Sequence, residues 1–198
     1  MPVDHAEIFD RIYREDLWGG GSGSGSTEES TRAYRQFLHN FLRSNAVRSV
    51  LDLGCGDWQF SRHMDWSGIA YLGVDVSEVV LQNTRSFARP GVGFRQLNAV
   101  TEPLPAADLL IAKDVLQHWS NADILALLPK LPAFRYALIT NGFLPGAEDQ
   151  TNADIASGMH CRPVDLLRPP FSLPGAYVAW FMADEPKYAF LWTRSAAR

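Results

Sequence analysis

Two short runs carry the residues that could do chemistry. VLDLGCGD (Val50–Asp57) ends an apolar stretch with two glycines spaced by one residue, and GVDVS (Gly73–Ser77) ends a second apolar stretch with a carboxylate. Gly54 and Gly56 let the backbone approach a ligand without interference from Cβ, and Asp52 sits just before the turn. About twenty residues further on, Asp75 stands where a carboxylate can accept both hydroxyls of a ribose. A dinucleotide fingerprint needs a third glycine at position 59, and Gln59 stands there instead. The other class that this layout serves is S-adenosylmethionine, which brings an amino-acid arm in place of a pyrophosphate.

The elements that must position these groups follow from periodicity. Ala6–Arg14 places Ile8, Phe9 and Ile12 on one helical face. Ser26 and Glu29 have the spacing of a capping box, which predicts a helix over about Thr27–Arg43 with Tyr34, Phe37, Leu38, Phe41 and Leu42 inward. VRSVLDL, AYLGVDV, VGFRQLNA, ADLLIAKD and RYALITN read as five strands. The intervening helices start near Trp58 or Gln59, run from a Ser77 cap through Phe87, and run from Ser120 to Leu128 before Pro129. Strands alternating with helices predict a parallel α/β sheet covered on both faces. AYVAWFM and YAFLWTR then predict a terminal hairpin whose last strand is antiparallel. The expected organisation is one domain over 1–198: an N-terminal helical and Gly/Ser-rich segment (1–45), a cofactor-binding core (46–141), and an acceptor-side loop with the hairpin (142–198).

Within this frame the motifs resemble those of the class I S-adenosylmethionine-dependent methyltransferases. Val50–Gly56 resembles their motif I and Gly73–Ser77 their second motif, with Val76 following the acid. Leu97-Asn98-Ala99 falls where the family often has an Asp for the adenine amino group, and Ala107–Trp119 resembles the fourth strand and its loop. The resemblance runs from about Val47 to Asn141. It implies a Rossmann-like fold with a seven-stranded sheet ordered 3-2-1-4-5-7-6, and S-adenosylmethionine as cofactor. The family's usual turn is GCGxG, and here Trp58 takes the last position, either under the cofactor or against the N-terminal segment. Small members of the family also pair a Trp-Gly/Ser-rich stretch and a Thr-x-x-Tyr-Arg helix with an LGCGDWQFS turn. WGGGSGSGS (Trp18–Ser26), Thr31–Arg35 and Leu53–Ser61 resemble these pieces. The Gly/Ser stretch then reads either as a backbone-rich lid around the cofactor's carboxylate or as a flexible linker. Trp18, Tyr34 and Arg35 are candidate cofactor contacts, with core packing the other reading of Tyr34 and solvent exposure that of Arg35.

Methyl transfer from a sulfonium rests largely on alignment, and a base is needed only where the acceptor must lose a proton. His118 and Asp114, after the fourth strand, are the candidate catalytic pair, with a carboxylate setting the histidine tautomer; a locally hydrogen-bonded histidine is the other reading. Lys113 presents its backbone to the cofactor. His160 and Arg162 are candidates for the acceptor pocket, although Arg162 can also pair with Asp165. Trp119 and Phe143 read as wall or core. Asp114, Asp149, Asn152 and Asp154 could offer oxygen ligands, but no spacing demands a metal and none is expected.

Composition bounds the partners. The formal net charge is −4, so the basic excess of a phosphate-binding surface is missing. Two cysteines form no metal motif, and no apolar run is long enough to span a bilayer. The expectation is a cytoplasmic enzyme, its oligomeric state left open, that methylates a small polar metabolite, sugar or amino-acid-derived, at oxygen or nitrogen. The alternatives are aminopropyl transfer from decarboxylated S-adenosylmethionine, a non-catalytic binding module, and RNA or protein methylation.

Overall fold

The computed structural model describes residues 3–143 and 146–195. Seven strands form one sheet in the order β3-β2-β1-β4-β5-β7-β6: β1 Ser49–Leu53, β2 Ala70–Asp75, β3 Val92–Gln96, β4 Ala107–Lys113, β5 Phe134–Gly142, β6 Ala176–Met182 and β7 Pro186–Thr193. The pairings among β1 to β5 are parallel, and β7 is antiparallel to both β5 and β6. The predicted order and the reversed last strand are therefore both present. Helices α1 (His5–Arg14), α2 (Arg32–Ser44), α3 (Glu78–Thr84) and α4 (Asn121–Leu127) connect or cover the strands.

The pleat sorts the core. Leu51, Leu53, Leu110 and Ala112 point to the face covered by α4 and by the chain around Val164–Leu173. Val50, Leu109 and Ile111 point to the opposite face, where α2 buries Tyr34, Leu38 and Leu42 at four-residue spacing. No helix among the described residues is long and apolar enough to cross a membrane.

Two expected elements differ. No α-helix follows β1: Trp58 adopts φ +63° and only a single 3-10 turn forms at Ser61–His63. A left-handed tryptophan backbone cannot continue into a helix. The Ser26–Glu29 capping box does not form either. The Ser26 hydroxyl donates to the Ser22 carbonyl at 3.2 Å, and α2 starts only at Arg32. The helix expected from Ser120 to Leu128 does form, as α4 with Ser120 as its cap, and it ends before Pro129, which sits in the first turn of a following 3-10 segment, Leu128–Ala133, where its missing N–H costs nothing. The Ser77 cap does form, its hydroxyl accepting from the Val80 amide at 3.3 Å.

Candidate active site

A cavity of about 290 Å³ opens at the carboxyl ends of β1, β2 and β4, the edge where open α/β sheets bind ligands. Asp75, the last residue of β2, lines it and is buried. Its Oδ2 accepts from the Gly56 amide at 3.0 Å and its Oδ1 from the Ser77 amide at 2.9 Å. Burial lifts its pKa to about 6 against the pull of these amides. Each oxygen keeps a lone pair for a ligand hydroxyl.

The glycines of the turn are required by contact. A Cβ on Gly54 would lie 2.5 Å from Val115 Cγ2, and one on Gly56 would lie 2.2 Å from Ser22 Oγ and 2.9 Å from the Tyr13 hydroxyl. Both residues have positive φ, +69° and +52°. Val76, Leu97, Asn98 and Ala99 line the same cavity. The Asn98 Oδ1 accepts from the amides of Val100 (3.0 Å) and Thr101 (3.4 Å), so the carboxamide is tied to its own turn.

The Gly/Ser stretch is an ordered strap. Asp16 accepts from the amides of Gly20 and Gly21 at 3.1 and 3.0 Å. Ser22 and Asp57 bond reciprocally: the Ser22 amide donates to Asp57 Oδ2 at 3.3 Å, and the Asp57 amide donates to Ser22 Oγ at 3.2 Å. Gln59 donates to the Gly20 carbonyl at 2.7 Å, and Ser24 Oγ donates to Asp184 at 2.8 Å. The strap thereby runs from the β1 turn to the β6–β7 turn. Trp18 lines the cavity with its ring centroid 5.0 Å from that of His118, and its indole N–H reaches the Met159 carbonyl at 3.4 Å.

Lys113 differs from its expected role, because its side chain does the work. Its ammonium donates to the Gly25 carbonyl at 2.8 Å, pairs with Asp114, and lies over the rings of Tyr34 and Phe60. Asp114 also faces Lys187 at 3.1 Å. Burial opposes its ionisation, but the two ammonium groups outweigh burial and hold its pKa below the usual carboxylate value. Asp114 is thus a fixed anion. Lys187 in turn meets Glu185 at 2.8 Å and Asp184 at 3.5 Å, and Asp114, followed by these two carboxylates, keeps it protonated despite burial.

His118 lines the cavity with an imidazole whose pKa burial lowers from 6.5. Among the described residues no carboxylate sets its tautomer. Its Nδ1 lies 3.0 Å from the His160 carbonyl, which can only accept, so Nδ1 carries the proton. Its Nε2 lies 3.4 Å from Gln117 Nε2, and that amide is oriented because Gln117 Oε1 accepts from the Gly142 amide at 2.7 Å. Nε2 is therefore the basic lone pair.

Six expected contacts lie elsewhere. Asp52 points to the α2 face because it alternates with Leu51 and Leu53. There it accepts from Ser61 at 3.0 Å and from the Tyr71 hydroxyl, and burial raises its pKa to about 7. Trp58 is 1 % exposed and packs among Tyr71, Phe87 and Phe94 with Arg89 over its ring. Tyr34 is buried against Phe60 and Phe181. Arg162, also buried, donates to the carbonyls of Ala153 and Leu116 and to Asn121 Oδ1, a clamp on loops rather than a substrate contact; Asp165 pairs with Arg168 instead. His160 contributes its carbonyl to His118, and its side chain is not part of the cavity wall. Arg35, named from the same helix as Tyr34, donates to the Glu28 carbonyl at 2.8 Å. The cavity adds His5, Tyr13, Gln117, Asp184 and Lys187, none of which was expected, while Ser22 comes from the Gly/Ser stretch read as a lid. Only the apolar stripe of α1, which faces inward as predicted at Phe9 and Ile12, hinted that this helix reaches the site.

The same architecture recurs in solved structures. A protein described for converting a disulfide bond into a thioacetal group in echinomycin biosynthesis matches at 21 % identity over 96 % of this chain and 92 % of its own, with a TM-score of 0.64. Magnesium protoporphyrin IX methyltransferase from Synechocystis PCC 6803, with S-adenosylhomocysteine bound, matches at 14 % identity, 96 % and 98 % coverage and a TM-score of 0.64. DhpI in complex with S-adenosylhomocysteine gives 13 % identity, 96 % and 95 % coverage and a TM-score of 0.65. At these identities the likeness establishes the fold. No curated protein matches the chain in sequence. Residues 50–133 match the family model of a methyltransferase domain. Over this segment in sequence, and over the whole sheet in fold, the chain is similar to methyltransferases that use S-adenosylmethionine. The cavity suits S-adenosylmethionine: a buried carboxylate with free lone pairs, apolar walls at Leu53, Val74, Val76 and Leu97, and a glycine turn beside a strap of hydroxyl and backbone groups.

Proposed function

We propose that this protein is an S-adenosylmethionine-dependent methyltransferase that transfers a methyl group to an oxygen or nitrogen of a small polar acceptor, and that it works as one domain with residues 1–45 forming a lid segment. Asp75 would hold the ribose hydroxyls, Val76, Asn98 and Ala99 the base, and Gly54, Gly56, Trp18 and Lys113 the space around the amino-acid arm. When bound, S-adenosylmethionine supplies a methyl group on a sulfonium, and the remaining work is alignment, water exclusion and proton removal. His118 Nε2 receives the acceptor's proton; its lowered pKa keeps it unprotonated at neutral pH. Asp114 stays ionised and fixes Lys113 and Lys187 rather than carrying protons.

One observation carries this reading. Asp75, at the cofactor end, and His118, at the acceptor end, line a single cavity that the strap walls between two anchor points 160 residues apart, Ser24 and Asp184. A site walled in this way favours a small molecule over a polymer. The net charge of −4, together with Asp114, Asp184 and Glu185 at the acceptor end, counts against a phosphate backbone. Free Cys55 and Cys161 suit a reducing cytoplasm.

Two measurements test the reading. Titration calorimetry with S-adenosylhomocysteine should give binding that Asp75→Ala weakens by about tenfold to a hundredfold, the worth of hydrogen bonds to a charged group. Incubation with labelled S-adenosylmethionine and a panel of small alcohols, amines and sugars should release S-adenosylhomocysteine with at least one of them. Label entering only RNA or protein would overturn the acceptor class, and unchanged affinity in Asp75→Ala would overturn the placement of the ribose.

A further inference from the structure

We propose that a second cavity, beside the carboxyl end of β5 and the start of β7, binds a small organic cation carrying N-methyl groups. The cavity measures about 300 Å³, at the small end of the range for small-molecule sites. Its floor is closed core, since Ile139, Leu166 and Phe190 are buried. Among the described residues, none lines both this cavity and the first. Between the two, the Gln117 amide donates to Asn141 Oδ1 at 3.2 Å, and the Gly142 amide donates to Gln117 Oε1 at 2.7 Å. The guest is therefore a separate molecule, and this site does not depend on how the first cavity is read.

The walls are aromatic. Phe143, Tyr177 and Tyr188 line the cavity, and none of the three is buried, so ring surface is left open. Tyr188 lies 5.7 Å from Phe143 with the ring planes at 81°, and 5.8 Å from Tyr177 at 70°. In such edge-to-face pairs one ring spends an edge and keeps its negative faces. Rings near right angles form the corner of a box, and a cation placed against their faces is attracted by each quadrupole. The Tyr177 hydroxyl donates to Asp165 Oδ1 at 3.0 Å, and a phenol that donates to a carboxylate is richer in electrons at its ring. The charges agree in sign. Glu148 and Asp165 line the cavity against one guanidinium, that of Arg168, which is mostly exposed and already holds Asp165 Oδ2 at 3.1 Å. Asp165 Oδ1 also accepts from the Leu167 amide at 3.0 Å. Asp165 thus supplies a negative field with its oxygens already engaged. That combination suits a methylated nitrogen, which has charge and no N–H to satisfy, over a bare ammonium, whose N–H groups would go unpaired against ring faces.

The test titrates three probes of one shape into the protein, with and without S-adenosylhomocysteine: choline, the neutral alcohol in which its nitrogen is replaced by carbon, and the carboxylate of that carbon skeleton. Choline should bind about tenfold more tightly than the neutral alcohol, the worth of a cation against aromatic faces, and S-adenosylhomocysteine should not displace it. Tyr188→Phe should keep the preference, and Tyr188→Leu should lose most of it. Equal binding of choline and the alcohol would overturn the proposal. Tighter binding of the carboxylate would make Arg168 the reader and overturn it too, and displacement of choline by S-adenosylhomocysteine would place the probe in the first cavity. Should Tyr188→Leu fail to fold, NMR contacts in wild type decide: the choline methyl protons should meet the ring protons of Tyr177 and Tyr188, and contacts confined to other residues overturn the proposal. Failure of S-adenosylhomocysteine to bind would strike the reading of the first cavity alone.

Discussion

Gln117→Glu is the sharpest probe of the proposed base. The substitution preserves shape: one oxygen keeps the Gly142 amide at 2.7 Å, and the other replaces the amide nitrogen that faces His118 Nε2 at 3.4 Å. A donor against the lone pair becomes an anion that favours a proton there. At 3.4 Å and an effective dielectric of about 20, the attraction between carboxylate and imidazolium is about 5 kcal/mol, an upper bound. Shifts seen beside one opposite charge are about one to three pKa units. In wild type, burial lowers the His118 pKa from 6.5, so the imidazole gains its proton only as pH falls below the ordinary histidine range. In the variant the transition moves up by about one to three units, and a base-dependent rate would be lost at a correspondingly higher pH. The assay is an NMR titration of the His118 Cε1–H between about pH 4 and pH 9, which needs no acceptor. A variant His118 titrating at or below its wild-type position would refute the assigned geometry of Gln117 and with it the basic Nε2.

Three further outcomes follow from the packing. Gly56→Ala places a Cβ 2.2 Å from Ser22 Oγ at a φ of +52°, so the strap must lift; a stability loss of about 1–2 kcal/mol is expected, and limited proteolysis should cut within Gly19–Gly25. Trp58→Ala should cost about 3–5 kcal/mol in denaturant unfolding, yet leave S-adenosylhomocysteine affinity near wild type in the folded protein, because the ring faces the aromatic cluster and not the cavity. Asp52 binds its proton more tightly folded (about 7) than in its reference state (3.8), so its contribution is fully present below 3.8 and lost as pH rises through about 7. Asp52→Asn lacks that loss and should gain on wild type by up to about 4 kcal/mol between those limits; a denaturation series with no pH-dependent difference between the two proteins would remove the buried charge.

The strands were legible because their signal is local: apolar runs of strand length ending at glycines or an acid, which the register of β1 to β5 reproduces. Asp75 was legible for the same reason, as the last residue of such a run. Asp52 was misplaced although the pleat was there to read, since Leu51 and Leu53 are core residues and the residue between them must face the other way. Trp58 and Tyr34 were misplaced because a resemblance gives positions along the chain but not the direction of a side chain. Ser26 offered a capping-box pattern, but its hydroxyl was recruited by the strap. His5, Asp184 and Lys187 were beyond reach, since their partners Asp123, Ser24 and Asp114 lie 118, 160 and 73 positions away and no spacing rule links them.

The strap explains why both ends of the cavity should respond together. One segment touches the cofactor turn through Ser22, the hairpin turn through Ser24 and the β4 end through Gly25, while Trp18 lies against His118. Opening it removes one of the two partners of the buried Lys113 ammonium, a charge-assisted hydrogen bond worth about 1.5–3 kcal/mol, and several exposed hydrogen bonds worth less. That sum favours the closed strap without locking it, which is the balance a site needs if it must admit both ligands and still exclude water during transfer. A ligand arm that bonds to the strap from inside adds to the closed side, so cofactor binding should raise the barrier to proteolysis at Gly19–Gly25 before any acceptor is present. Because the same closure presses Trp18 against His118, the acceptor wall is completed only then, and binding should be ordered with the cofactor first.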